Sequence, residues 1–476
     1  MKQLKIKKVL FVGLSIVSMF IHAQNNTKTQ QNPSVKIYYV NLDRGESQPL
    51  KEHNEILVEG KVKWSNRIYI QPEVTFQTLE GIGGAFNEIG GEALLSLSKN
   101  KQETVMNNLF SKDKAGFNFC RTAIGASDFG MNTYSYSNES NDFEMKHFSI
   151  DRDKKYVLPY IKSAFAINPD ITLFGSPWSP PAWMKESGKM EGLQKEGNRM
   201  KSDPKVLKAY AKYFVKYVQA YEKEGVKVKR ICIQNENDAD TKYPSCVFPA
   251  KEMVDFANKY MAPAFKKNNI QTEIYAGTFR AADKMDLMDF TQCKNTDGVE
   301  GVGIQYTDVK IIADARALLP NLKIMHTEGH CYNGENSSKQ AKHRLEEVAS
   351  YINSGSVNYT YWNMILNETT KSGWDWSQNS LINIDRENGK VKYNPDYNAM
   401  YIISKFILPG DVRIASTNRS NTHPIITVKS PDGTIKVLVQ NTAETDDVFE
   451  LVLGEKSIKV NATAQAITAI VINKIN

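Results

Sequence analysis

From Gly81 onward the chain repeats one unit, a short apolar run followed by a longer amphipathic or polar stretch. Eight such runs occur: GIGGAF from Gly81, FNFCRTAIG from Phe117, ITLFGSPW from Ile171, RICIQNEN from Arg230, EIYAGT from Glu273, GVGIQY from Gly301, LKIMHTEG from Leu322 and VNYTYWNM from Val357. Runs of this length bounded by Gly, Pro and polar residues read as buried strands. The spacers read as helices. Between Val206 and Tyr221, apolar side chains recur at Val206, Tyr210, Phe214, Tyr217, Val218 and Tyr221, a period near 3.6. The aromatics there resemble a ligand stripe, but a helix face packed on a sheet accounts for them. Parallel strands need long crossovers, and eight strand–helix units predict an α/β fold of the (β/α)8 TIM-barrel type.

The flanks differ. Strand-like stretches start at Val35 (VKIYYV) and Arg67 (RIYIQP), and after about residue 405 the helical signal stops. The tail holds IKVLVQN and AITAIVIN, with a turn signal at Ser430-Pro431-Asp432-Gly433. Neither flank has strands enough for a domain of its own. The expected layout is a barrel over 76–404 with one attached β-sandwich formed by both chain termini, 35–75 and 405–476.

Residues 1–23 have the order of a signal peptide. Lys2, Lys5, Lys7 and Lys8 precede an apolar run from Val9 to Ile21, and Ala23 offers a small residue for cleavage. The run is shorter than the roughly 20 residues that span a bilayer. No cysteine follows it to carry a lipid. A secreted or periplasmic location is expected, with 24–34 as a flexible tail and no membrane span in the mature chain. Those four lysines supply much of the formal net charge of +7, so the basic balance gives no argument for nucleic acid. The five cysteines, Cys120, Cys232, Cys246, Cys293 and Cys331, fit neither a disulfide framework nor a zinc site. Cys120 and Cys232 read as buried free thiols, and pairing among the other three stays open.

In a barrel, reactive groups stand at the carboxyl ends of the strands. Those ends carry Arg121, with Asp128 following; Trp178; Asn235 and Glu236; Gln305 and Tyr306; Glu328; and Trp362, with Trp376 and Asn379 in the next loop. Carboxylates, amides and tryptophans without a glycine-rich phosphate loop suit a neutral, polyhydroxylated ring, that is, a sugar. Glycosidic hydrolysis needs two carboxyl groups flanking the anomeric carbon. Glu236 and Glu328, ending the fourth and seventh strands, can face each other across the mouth. His326, Glu328 and His330 alternate in a way that could hold a metal, but Gly329 breaks the alternation, and no metal or organic cofactor is expected.

The motifs GIGGAF, FCRTAIGASDFGMNTYSY, LFGSPWSPPAWMK, QNEN with YPSC, HTEG and YWNMILN, in this order, resemble glycoside hydrolase family 30, which includes glucosylceramidases and β-1,6-glucanases. The resemblance implies a retaining mechanism with Glu236 as acid/base and Glu328 as nucleophile. It also implies a side β-sandwich, and substrate contacts at Arg121, Asp128, Trp178, Asn235, Tyr243, Trp362 and Asn379. The glucosylceramidase branch has a histidine where this chain has Gln305. The loop SGWDWSQNSL from Ser372 is closer to the β-1,6-glucanase branch, which carries Gln-Trp in place of Gln305-Tyr306. The expected activity is therefore that of an endo-β-1,6-glucanase acting on β-glucan. Two alternatives are an exo-acting β-glucosidase or glucosylceramidase, and a non-catalytic carbohydrate-binding barrel, which the presence of both glutamates disfavours. Oligomeric state is not read from the sequence.

Overall fold

The structure is a computed structural model that describes residues 35–53, 62–192, 197–280, 285–418 and 423–473; the expected signal peptide 1–23 and tail 24–34 lie outside the described residues. Three strands come first, β1 (Val35–Asn41), β2 (Lys51–His53) and β3 (Arg67–Thr78). Eight parallel strands follow: β4 (Gly81–Phe86), β5 (Phe119–Ala123), β6 (Thr172–Ser176), β7 (Val228–Cys232), β8 (Glu273–Arg280), β9 (Gly301–Gln305), β10 (Lys323–Glu328) and β11 (Asn358–Asn363). A small sheet of β12 (Ile365–Asn367), β13 (Ile382–Asp385) and β14 (Lys390–Tyr393) and a helix, Pro395–Phe406, come next. The chain ends with β15 (Val412–Asn418), β16 (Ile425–Lys429), β17 (Ile435–Asn441), β18 (Asp447–Leu453), β19 (Lys456–Ala462) and β20 (Ala466–Ile472).

The eight parallel strands lie side by side in the order β10-β9-β8-β7-β6-β5-β4-β11, the arrangement of a TIM barrel. The closing seam between β10 and β11 is made largely by side chains. Asn358 Nδ2 donates to the His326 carbonyl at 2.7 Å, and its Oδ1 accepts the His326 N–H at 3.0 Å. The Thr360 N–H donates to His326 Nδ1 at 3.2 Å. That bond needs a neutral ring, and burial holds His326 down to about 3. Inside the barrel, Phe119, Phe174, Cys232, Tyr275 and Met325 form a sealed apolar layer beneath the mouth. Close strand approach requires glycine at Gly303, where a Cβ would lie 2.8 Å from Cys232 Sγ.

The helix expected around Val206–Tyr221 spans Pro204–Lys223, started by Pro204 and capped by Asp203, whose side chain accepts the Lys205 N–H. Its predicted stripe is buried. Tyr213 and Tyr217 stack on Tyr136 at 5.8 and 5.9 Å. Buried Asp153 accepts hydrogen bonds from Tyr134, Tyr136 and Tyr221, which ties the segment after β5 to this helix.

The strands from the two chain ends form one continuous nine-stranded sheet, β19-β18-β3-β15-β16-β17-β20-β1-β2. Strands from its opposite ends share one apolar core, with Ile37, Ile68, Val437, Phe449, Val460 and Ile470 among its members. The sheet therefore folds over on itself as a sandwich-like unit beside the barrel. All five cysteines are free thiols.

Candidate active site

The site is assembled from the ends of seven barrel strands around one buried cation. Arg121, at the end of β5, is fully buried and uses each of its donor nitrogens. Nε and Nη2 donate to Ser176 Oγ at 3.0 and 2.7 Å, and Nη2 also to Asn235 Oδ1 at 2.6 Å. Nη1 donates to the Thr327 carbonyl at 3.1 Å and to Glu328 Oε2 at 2.7 Å. The guanidinium carbon lies 4.6 Å from the Trp178 ring centroid and 5.3 Å from that of Trp362, and these two indoles stack at 5.0 Å. A charge so deeply placed is tolerable only because it is fully paired.

Two carboxyl groups reach this centre by different local geometry. Glu328 is the last residue of β10, and its Oε1 accepts the Tyr306 hydroxyl at 2.6 Å. Glu236 lies four residues beyond the end of β7, where the backbone turns sharply. Its φ is +41°, its N–H donates to Thr278 Oγ1 at 3.0 Å, and the Asn235 N–H donates to the Pro177 carbonyl at 2.7 Å. A left-handed glutamate is strained, and such strain persists only where surrounding contacts enforce it. Here the turn swings the side chain over the mouth. Glu236 Oε1 accepts from Gln305 Nε2 at 3.3 Å and Oε2 from Arg280 Nη1 at 3.2 Å.

The two carboxyls are chemically unequal. Burial pushes Glu236 up to about 7 despite the Arg280 cation, and the nearby Glu328 and Asp238 charges add to the rise. Glu328 instead receives a charged donor and a phenol donor, one on each oxygen. Asp128 is held well above the ordinary carboxylate range, first by burial and then by the Glu328 and Glu236 charges. Burial, with the same three carboxylates, also raises the Tyr243 phenol.

Three of the residues expected to bind substrate carry a buried polar atom with no hydrogen-bond partner among the described residues: Asp128 Oδ1, Trp362 Nε1 and Asn379 Nδ2. Buried donors and acceptors are normally satisfied, so each of these three atoms is open to a polar partner. The carboxamide oxygen of Asn379 is in use, accepting the N–H groups of Gly334 at 2.9 Å and Asn336 at 3.2 Å.

A family model, the glycosyl hydrolase family 30 TIM-barrel domain, matches residues 79–407. The chain belongs to glycoside hydrolase family 30. The lysosomal acid glucosylceramidase of Mus musculus is 26% identical over 412 residues, covering 79% of this chain and 77% of that protein. The endo-1,6-β-D-glucanase BGN16.3 of Trichoderma harzianum is also 26% identical, over 403 residues covering 79% of this chain and 80% of that one. Among solved structures, the endo-β1,6-glucanase BT3312 superposes with a TM-score of 0.81 at 23% identity, covering 92% of this chain and 99% of that one. Membership makes this chain a glycoside hydrolase with a carbohydrate substrate.

Within this family 30 barrel, Arg121, Asn235, Glu236, Gln305, Tyr306 and Glu328 lie in one hydrogen-bonded network, with Trp178 and Trp362 packed under it. Asp128 and Tyr243 join it through the field of its charges. Trp376 stands further out, 40% exposed, with its ring on Tyr243 at 6.2 Å. Sequence reasoning missed Thr278, Asp238 and Arg280. The His326–Glu328–His330 alternation does not converge: His326 stacks flat on Tyr359 at 4.2 Å, while His330 turns to Glu347 at 3.1 Å. Among the described residues no group of three or more metal-ligating side chains forms.

Proposed function

We propose that this chain is a retaining glycoside hydrolase that cleaves β-glucosidic bonds, acting as an endo-β-1,6-glucanase on β-1,6-glucan. Glu328 is the nucleophile and Glu236 the acid/base. The observation that carries this reading is the inequality of the two carboxyls. Glu328 accepts from the Arg121 guanidinium on one oxygen and the Tyr306 hydroxyl on the other, which holds the carboxyl in a fixed orientation for attack. Glu236 is pushed up to about 7, which keeps a proton for the leaving oxygen.

In the first step Glu328 attacks the anomeric carbon while Glu236 protonates the departing oxygen. Esterification then removes the Glu328 charge, the push on Glu236 weakens, and Glu236 ionises to activate water. A retaining pair stands about 5–5.5 Å apart, against roughly 6.5–9.5 Å for inversion. Proton NMR of the first product from a β-linked glucan should show the β-anomer. An α-anomer appearing first overturns the assignment. The chemistry uses only carboxyls and water, so activity should survive exhaustive chelation.

The choice of β-1,6-glucan rests on Gln305, on the 372–381 loop and on the fungal relative that spans most of the chain. Sizing the products formed from β-1,3-, β-1,4- and β-1,6-glucans tests it. A second reading, an exo-acting glucosidase or glucosylceramidase, is favoured by the mouse relative of equal identity. High turnover of aryl β-glucosides with little on β-1,6-glucan would select it. We also propose export through segment 1–23; N-terminal sequencing of the secreted form should begin at Gln24.

A further inference from the structure

We propose that Arg280 is a positioning residue for the acid/base carboxyl and that Asp238 acts through it, the pair setting the pH range over which Glu236 delivers its proton. This rests on the reading of Glu236 as acid/base. Arg280 ends β8 and reaches the loop that follows the neighbouring strand β7, with Nη1 on Glu236 Oε2 at 3.2 Å and Nε on Asp238 Oδ1 at 2.5 Å. The guanidinium is thus shared between the carboxylate it tunes and one that holds it in place. Its side chain is 25% exposed and that of Glu236 11%, so solvent screens the contact only in part. Gln305 Nε2 fixes the other Glu236 oxygen, which leaves the Arg280 side as the one open to adjustment.

The two members of the pair act on Glu236 with opposite signs. The arginine favours its anion; the Asp238 charge favours its acid. The other groups facing Glu236 are Glu328 on β10, Arg121 on β5, Asp128 beyond β5, Tyr243 beyond β7 and Tyr306 beyond β9. Arg280 alone of the pair touches Glu236, while Asp238 reaches it through Arg280 and through its own charge. Without the cation, the acid would hold its proton too firmly to become the base of the second step. Without Asp238, the cation would close fully on Glu236 and strip the proton too early.

A salt bridge that only supports structure fails in the same direction when either half is removed. This pair should not. On an unactivated aryl β-glucoside, Arg280→Gln should move the alkaline limb of kcat/KM upward by about one pH unit. Asp238→Asn should move it downward, and Arg280→Lys should restore it to near the native position. Shifts of the same sign, or an equal loss of rate with no shift in either variant, would overturn the pair's role. The same profile on Glu236→Gln separates the two levels of the argument. If the limb vanishes there, Glu236 is its source and the pair is judged on the signs alone; if it persists, the acid/base reading itself falls.

Discussion

Arg121 and Glu328 meet at 2.7 Å with the guanidinium fully buried and the carboxyl side chain 6% exposed. Removing one partner of such a pair leaves an uncompensated buried charge, which costs about 3–5 kcal/mol. Arg121→Gln also takes donors from Ser176 and Asn235. A loss of that size should appear as a lower denaturant midpoint with little change in slope. Arg121→Lys should recover only part of it, because a single ammonium cannot span Ser176, Asn235 and Glu328 together. A change below about 1 kcal/mol would mean that water can take the place of the guanidinium.

The two glutamates should fail differently. In the proposed roles, Glu328→Gln removes the nucleophile, so no glycosyl-enzyme forms on any substrate. Glu236→Gln removes proton donation, a loss of about 10²–10⁴-fold on poor leaving groups and far less on an activated aryl glycoside. On that substrate the first step survives, and azide should rescue the second with retained configuration. Azide rescue of Glu328→Gln with retained configuration would instead reverse the two roles.

Glu236 also links stability to pH. Its ordinary value of 4.5 is raised to about 7 in the fold, so the native state holds the proton more tightly than the unfolded chain. The stability this contributes is complete below about 4.5 and is lost as pH rises through about 7. Glu236→Gln lacks that titration and should gain on the native protein between pH 5 and 8, by at most about 1.4 kcal/mol per pH unit. Paired Tm measurements at the two pH values check this. A difference that is flat or of opposite sign would show that Arg280, not burial, dominates the carboxyl.

The barrel was legible because its strands are buried on both faces; β4, β5 and β9 are buried at every residue, and their polar members, Arg121, Thr122 and Gln305, fall at or near the strand ends. The carboxyl pair was legible because strand ends point at one mouth. Arg280 was not, since the apolar run ends at Thr278 while β8 continues two residues further. A lone arginine past a strand has the same appearance as a solvated one until its partner is known. The seam was hidden for a related reason: Asn358 and His326 are polar interruptions whose purpose exists only once β10 lies beside β11. The sheet of β12–β14 has strands of three or four residues, too short for any periodicity to register.

Trp376 separates the endo reading from the exo one. It is 40% exposed and meets the Tyr243 ring edge-on at 6.2 Å, while Tyr243 lies within the field of Asp128, Glu236 and Glu328. On the endo reading, this exposed indole carries a neighbouring unit of a bound polymer. An endo-acting enzyme uses such a surface for each bound chain; a short aryl glucoside fills only the inner position. Trp376→Ala removes a stacking contact of about 1–1.5 kcal/mol, which corresponds to a KM on β-1,6-glucan roughly tenfold higher. With binding lost equally in ground and transition states, kcat should hardly change. On the aryl glucoside both constants should stay within about twofold, since the substrate never reaches the indole. Equal losses on the two substrates would put Trp376 against the inner sugar and turn the assignment toward exo action.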